Sequence, residues 1–346
     1  MAARSGILCA GCWTLDQIRI VDHWPSEEAL ALTLRTDRQG GGSAHNVSID
    51  LKKMDGSVPV FTAGMLGTDA AGDFLRNQAQ QFGVDIRQLH RSDETLTSFT
   101  DVMSVESTGR RTFFHHSGAN DLLTPDHIDL DSCPAKFLHL GLLGVHKLLD
   151  EPWKGDASGW LTVLKRAQAL GLHTNIEMVS IEPEKNRQLA LPCLPYLSSL
   201  IINDYEAACL SNIETIKDGR ADQEACMAAT EHLLLKGAMD FVIVHFPDGA
   251  TAATRTGQRL FVPSVRVPSD HIKGSVGAGD AFTAGVLYGL HAERELKQCI
   301  QLGHAVAAAS LRSETTVGSI GSVSDCLKLA GLDFSCGFNW STQHID

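Results

Sequence analysis

Positive charge is scarce in this chain. Its 29 Lys and Arg are outnumbered by 41 Asp and Glu, which leaves a net charge of −12 and a pI near 5.6. With no basic run to offset that balance, the composition argues against nucleic acid or an anionic membrane surface as a partner. Any phosphate-bearing ligand must then be held by main-chain amides, a few cations and a metal. Long apolar runs are missing too. None reaches eighteen residues, so no transmembrane helix is expected. The apolar stretch at residues 6–10 is too brief for the core of a secretory signal. The nine cysteines are scattered and odd in number, which fits reduced thiols and a cytoplasmic location better than a disulfide framework. Cys9-x-x-Cys12 has no second pair at metal spacing and reads as a strand end, not as a zinc or redox site. Repeats and low-complexity linkers are also absent.

Apolar residues make up 43% of 346, enough for one large α/β domain or two smaller ones. Strand and helix patterns alternate along most of the chain. Strands are expected at 6–11, 58–61, 137–143, 172–176, 199–202 and 240–245, with a further pair within 249–262. Helices are expected from Val47 to Met54 and at 69–82, 156–170, 183–190, 204–210, 221–236, 277–290, 293–311 and 322–331. Gly64 to Gly67 reads as a turn. This βα alternation predicts a mostly parallel sheet with helices on both faces, a three-layer α/β/α fold. Residues 17–38 and 96–116 depart from it: both are β-rich, and the second carries a hairpin signal about Glu106 to Gly109. They predict a small separate sheet lying over the site as a lid. The domain is expected to span 1–334, with 335–346 as a tail. An exposed lid edge offers a place for a second copy to pair.

Three constellations carry chemistry. Residues 273–289 place Gly274, Gly277 and Gly279 before a small, apolar helix. Glycines at a helix N-terminus let free N–H groups and the positive dipole end meet an anion. Asp280 is the only ionisable side chain inside that loop. It either caps the helix or accepts a proton from a hydroxyl while the amides stabilise a transferring phosphoryl group. The loop is not a Walker A sequence, since no Gly-Lys-Ser/Thr follows, and Phe282 stands where a Rossmann fingerprint needs glycine. A second Gly-rich loop, Gly40-Gly41-Gly42-Ser43-Ala44-His45-Asn46, opens another helix, with Ser43 available as a cap. Asp16 follows the first strand in a loop. Asn203-x-x-Glu206 follows a strand and spells a capping box.

Gly277-Ala278-Gly279-Asp280 with its apolar helix resembles the C-terminal signature of the ribokinase-like (PfkB) carbohydrate kinases. Gly41-Gly42 with Asn46 resembles their N-terminal motif, and the likeness runs over roughly residues 6–331. The resemblance implies an ATP-dependent kinase acting on a hydroxyl of a small sugar or related polyol. It makes Asp280 the catalytic base and Gly277, Ala278 and Gly279 the anion hole. It assigns the acceptor to Asp16, Gly41, Gly42 and Asn46. Asn203 and Glu206 would organise Mg²⁺ through water, and Gly249 would lie beneath the nucleotide. The family's Asp before the loop is Gly274 here, followed by Ser275, so a K⁺ requirement stays open. The lysine found in ribokinases is Ser43, and no acid stands near His139 to Gly141, where the family has a sugar contact. His245 reads as a strand-end residue. His115 and His116 point to opposite faces of a strand, so one of them is free to face a substrate. Lys273, Arg110 and Arg111 are the nearby cations. Two alternatives remain open: a nucleoside kinase of adenosine type, whose branch shares Gly-Gly-Ser, and a non-catalytic sugar- or nucleotide-binding protein.

Overall fold

A computed structural model describes residues 4–313 and 315–332. The tail expected at 335–346 lies outside the described residues. The centre of the fold is β1 (Ile7–Gly11), whose five residues are all buried. Such a strand must be covered on both faces. Its alternation does this directly: Leu8 and Ala10 enter one apolar core, Ile7 and Cys9 the other. The first core is roofed by helices Gly159–Ala169, Pro183–Ala190, Asp204–Ser211 and Gln223–Lys236. The second is roofed by helices Ser43–Met54, Ala278–His291, Leu296–Ser310 and Val323–Leu329.

β1 sits in a parallel five-stranded sheet between β4 (Val60–Gly67) and β8 (Phe137–Leu143). β5 (Asp85–Ser92) and β9 (His173–Met178) form its edges. A second set continues with β10 (Ser199–Asn203), β13 (Phe241–Phe246), β14 (Gly249–Thr254) and β15 (Arg259–Pro263). β10 and β13 are parallel, and β14 and β15 run back antiparallel. Between β9 and β10 the ladder is spliced by a side chain: Asn175 Oδ1 accepts from Ile201 N–H at 3.2 Å. The three-layer α/β/α expectation is met.

A four-stranded sheet stands apart, in the order β3 (Thr33–Gly41), β2 (Thr14–Val21), β6 (Phe99–Val105), β7 (Arg111–His116). A short pair, β11 (Ile216–Lys217) and β12 (Arg220–Ala221), completes the strands among the described residues.

The structure corrects several local expectations. Gly64 to Gly67 is not a turn but the end of β4, with Met65 and Leu66 buried in the core. β5 was not anticipated, because Asp-Ile-Arg-Gln-Leu-His-Arg-Ser is an edge strand with little apolar signal. Asp16 lies in β2, not in a loop, paired with Gln39 on one side and Thr100 on the other. The second Gly-rich loop is shorter than read. Gly40 and Gly41 end β3, Gly42 is the N-cap without a side-chain bond, and Ser43 is already helical.

Candidate active site

The two Gly-rich motifs, distant in sequence, meet at one point. Asn46 Nδ2 donates to Asp280 Oδ2 at 2.7 Å. Asn46 Oδ1 in turn accepts from Thr316 Oγ1 at 3.2 Å, and Thr316 Oγ1 also reaches Gly40 O at 3.1 Å. Helix Ser43–Met54 therefore presents Asn46 to the first turn of helix Ala278–His291, and the two helices share the second core.

Gly277 caps the latter helix with φ 82°, in the left-handed region where a side chain is strained. The first intrahelical bond runs from Ala281 N–H to Gly277 O at 2.9 Å. The amides of Gly279 and Asp280 precede it, where a helix leaves its donors without intrahelical partners. Ala278 N–H is turned back to Ser275 O at 3.3 Å, so the loop itself takes one of the amides expected to face an anion. A Cβ on Gly279 would be in ordinary van der Waals contact with the His245 ring, 3.6 Å away.

Asp16 is buried, and a Cβ on Gly41 would stand 2.5 Å from its Oδ2. The absence of that side chain is what lets the carboxylate lie over the loop. Burial, with the Asp280 charge nearby, pushes the Asp16 carboxyl up to about 7, although Thr100 and Gln39 hydrogen bonds oppose the rise. His115 Nδ1 lies 3.0 Å from Thr100 Oγ1, on the Asp16 side of the second sheet, whereas His116 packs on Phe99. Of the two histidines, His115 is the one turned toward the site. Asp280 itself is pushed well above the usual carboxylate range, first by burial and then by the Glu177 charge. That is the direction required of a base that must take a proton near neutral pH.

Glu177 was missed by the sequence reading. No acid stands on β8 near His139, but the next parallel strand supplies one: Glu177 Oε2 lies 3.1 Å from His139 Nε2. Glu177 is also within hydrogen-bonding reach of Asp280, and burial lifts its carboxyl to about 7. The signal available in sequence was a lone acid in His-Thr-Asn-Ile-Glu-Met, a strand otherwise rich in buried positions.

Glu206 forms the capping box that its spacing suggests. Its Oε2 accepts from Asn203 N–H at 3.1 Å, and its N–H donates to Asn203 Oδ1 at 2.8 Å. Its other oxygen is 3.5 Å from Ser180 Oγ, and burial raises the carboxyl to about 7. Glu177 feels its charge. Among the described residues no three His, Cys, Asp or Glu side chains converge into a ready metal cage. Mg²⁺ commonly takes one or two carboxylates and completes its shell with water and phosphate oxygens. Glu206, with Glu177 nearby, is chemically suited to that mode.

A cavity of about 750 Å³ lies on the other side of Gly279. Asn203, His245, Ala278, Gly279 and Phe282 line it, together with apolar residues of 246–247, 265–272 and 307–311. His245 packs on Phe282 in a tilted pair with ring centroids 4.8 Å apart, and burial lowers its pKa to about 4. It is a neutral wall, not an acid. Gly249 does not line this cavity; its place is under the Phe261 ring, 2.6 Å from where a Cβ would be. A second cavity of about 840 Å³ opens between residues 272–276 and the second sheet, lined by Ile18, Ile20, Arg111 and Phe113 among others. Lys273 belongs to this wall, and Arg110 does not. Ile18 is two residues from Asp16 on the same face of β2, so this cavity leads toward Asp16. Both cavities border Ile272 and Ser275.

The eight described cysteines are buried and unpaired. Cys12 is held by Asn120 Nδ2 at 3.5 Å beneath Gly42, and burial raises its thiol further from ionisation.

Residues 6–321 match the profile of the pfkB family carbohydrate kinases. The chain is 25% identical to ketohexokinase of Mus musculus over 306 residues, covering 87% of this chain and 94% of that one. It is 28% identical to a fructokinase of Klebsiella pneumoniae over 257 residues, 73% of this chain and 77% of that one. In fold it is similar to ribokinase of Arabidopsis thaliana, solved with ribose and ATP. The TM-score is 0.78 at 18% identity, covering 95% of this chain and all of that one (100%).

Proposed function

The chain belongs to the pfkB family of carbohydrate kinases, and on that footing we propose that it transfers the γ-phosphoryl group of Mg·ATP to a hydroxyl of a small sugar or related polyol. The observation that carries this reading is the 2.7 Å bond from Asn46 to Asp280, which unites an acceptor-side loop with a carboxylate beside a helix N-terminus. Asp280 takes the proton of the acceptor hydroxyl as the new O–P bond forms. The amides of Gly277, Ala278 and Gly279 are the proposed anion hole; Gly279 is placed best for it, and the Ala278 N–H would have to leave Ser275 O to join it. Asp16, Gly41, Gly42 and Asn46 hold the acceptor. A carboxylate can accept from two sugar hydroxyls at once, and the missing side chain at Gly41 lets Asp16 reach them.

The 750 Å³ cavity past Gly279 suits a nucleoside, with Asn203 in its wall. Gly249, proposed to lie beneath the nucleotide, starts β14 outside the lining of this cavity. Mg²⁺ held through water by Glu206 would neutralise phosphate charge. The protein's own part is alignment and water exclusion, which is most of what phosphoryl transfer asks of a protein. The separate sheet acts as a lid over the acceptor. Gly274 stands where the family has an acid, so the assay is run with and without K⁺ to decide the cation requirement.

The test is coupled ADP release across pentoses, hexoses, keto-sugar acids, sugar phosphates and nucleosides, each with and without K⁺. Turnover with one or more sugars is expected. Turnover with nucleosides alone would make it a nucleoside kinase. ATP binding with no acceptor-dependent ADP would make it a binding protein.

A further inference from the structure

The acceptor-side loop carries a histidine that the chemistry proposed above leaves unused. His45 stands one residue before Asn46 and is fully buried. It meets the Trp13 ring edge to face, with centroids 5.1 Å apart. Both of its ring nitrogens are engaged. Nδ1 lies 2.9 Å from Asn46 Oδ1, and Nε2 lies 2.7 Å from the side-chain amide of Gln78 on helix Ala70–Gln81. The end of β3 closes over the second contact: a Cβ on Gly40 would collide with Nε2 and stand 2.8 Å from the Gln78 amide.

The directions of these bonds follow from the other end of the network. Asp280 serves as a base only as a carboxylate, which can only accept, so the Asn46 atom 2.7 Å from its Oδ2 is the amide nitrogen. The Asn46 oxygen then points the other way, to His45 Nδ1 at 2.9 Å and Thr316 Oγ1 at 3.2 Å. Thr316 has one hydroxyl hydrogen, and Gly40 O competes for it at 3.1 Å. Thr316 is therefore a weak anchor for that oxygen. With its hydrogen on Gly40 O, it would accept equally well from an Asn46 amide turned round. What excludes the turned amide is a donor at His45 Nδ1. Burial lowers the His45 pKa, so the ring is neutral and carries a single N–H. With that N–H on Nδ1, Nε2 is an acceptor, and the Gln78 amide turns its NH2 group toward it.

We propose that His45 is a positioning residue: its Nδ1–H locks the Asn46 amide in the orientation that donates to Asp280 Oδ2, and so aims the base. This rests on the kinase reading of the site. Of the two Asn46 amide hydrogens, one goes to Asp280 and one is left for the acceptor. With its oxygen taken by His45 and Thr316, Asn46 meets the acceptor as a donor. A reversed amide would set its oxygen against the Asp280 carboxylate. Two acceptors in contact repel, so the carboxylate would swing away or hold a proton, and either change removes the base.

The test separates the donor at Nδ1 from the filling of space. His45→Asn can put an amide N–H near the Nδ1 position, His45→Gln reaches the Nε2 position instead, and His45→Leu offers neither. With Mg·ATP and the pentose or hexose that turns over best, His45→Gln and His45→Leu should each lower kcat about 10–100-fold with KM for ATP unchanged. His45→Asn should recover most of that loss. A role in packing alone predicts the reverse order, since glutamine fills more of the ring's volume than asparagine does. Equal kcat in the Asn and Gln variants overturns the proposal, and so does a wild-type kcat in His45→Leu. The ring gives a second readout that needs neither an acceptor nor a folded variant. In the full ligand-free chain, labelled with ¹⁵N at histidine and held at about pH 8.5, the His45 signals should be those of the Nδ1–H tautomer, as assigned by their loss in His45→Asn or His45→Gln. An Nε2–H tautomer overturns the proposal. A wild type that releases no ADP would defeat the kinase reading and leave the tautomer result separately legible.

Discussion

Gly41 has no room for even one added carbon. A Cβ there would stand 2.5 Å from Asp16 Oδ2, so Gly41→Ala must push the carboxylate aside or move the loop. Overpacking of this kind costs about 1–3 kcal/mol. The expected kinetic signature is a raised KM for the acceptor with KM for ATP unchanged, read by steady-state assay beside a thermal melt. An unchanged acceptor KM would mean that Asp16 does not bind it. This scale also shows what sequence could and could not reveal. Asp280, Asn46 and Gly41 were legible because each sits in a short motif whose neighbours are chain neighbours. Glu177, His139 and Asn175 were not, because their meeting depends on the register of two parallel strands, β8 and β9. Glu206 was legible as the capping-box partner of Asn203, and that box is present.

Among the elements, the second sheet is the least self-sufficient. Its edges are β3 and β7, and around them Trp24, Leu30, Leu32, Leu34, Phe113 and Phe114 are all about half exposed or more. Trp24 and Phe114 stack at 6.4 Å, which preorganises an aromatic surface. We propose that a second copy of the chain covers this patch by edge pairing. Light scattering after gel filtration should give twice 37.3 kDa, and Leu32→Glu should restore the single-chain mass. A wild type that remains at one chain's mass at tens of micromolar would refute the lid-to-lid dimer. The sheet's existence was readable from the break in βα alternation at 17–38 and 96–116. Its pairing was not: β2 joins β6 in parallel, a non-local match that no local pattern records. β5 was lost for a related reason, since an edge strand carries few apolar residues.

For the whole molecule, burying so many acids leaves a mark on stability. Asp16 and Glu177 rise to about 7, above their unfolded values, so the folded protein keeps protons that the unfolded chain has released. Their contribution is full at low pH and is lost as pH climbs toward 7. His139, His146, His245 and His304 fall to about 4, so they act in the opposite sense and cost stability below about 6.5. Above about 7.5 the histidines are neutral in both states and only the carboxyls remain in play, Asp50 and Asp280 being raised well above the usual range as well. The melting temperature of the ligand-free protein should therefore fall between pH 7.5 and 8.5, as followed by circular dichroism. A rise over that interval would show that these acids are ionised and paired in the fold.

The most direct measurement is acceptor-dependent ADP release by the wild type and by Asp280→Asn, side by side, with the sugar that turns over best. The amide oxygen that Asp280→Asn leaves in place can still accept the bond from Asn46, so the variant should melt with the wild type while its kcat drops about 10²–10⁴-fold. A folded variant that works at near the wild-type rate would contradict the assignment of Asp280 as the base.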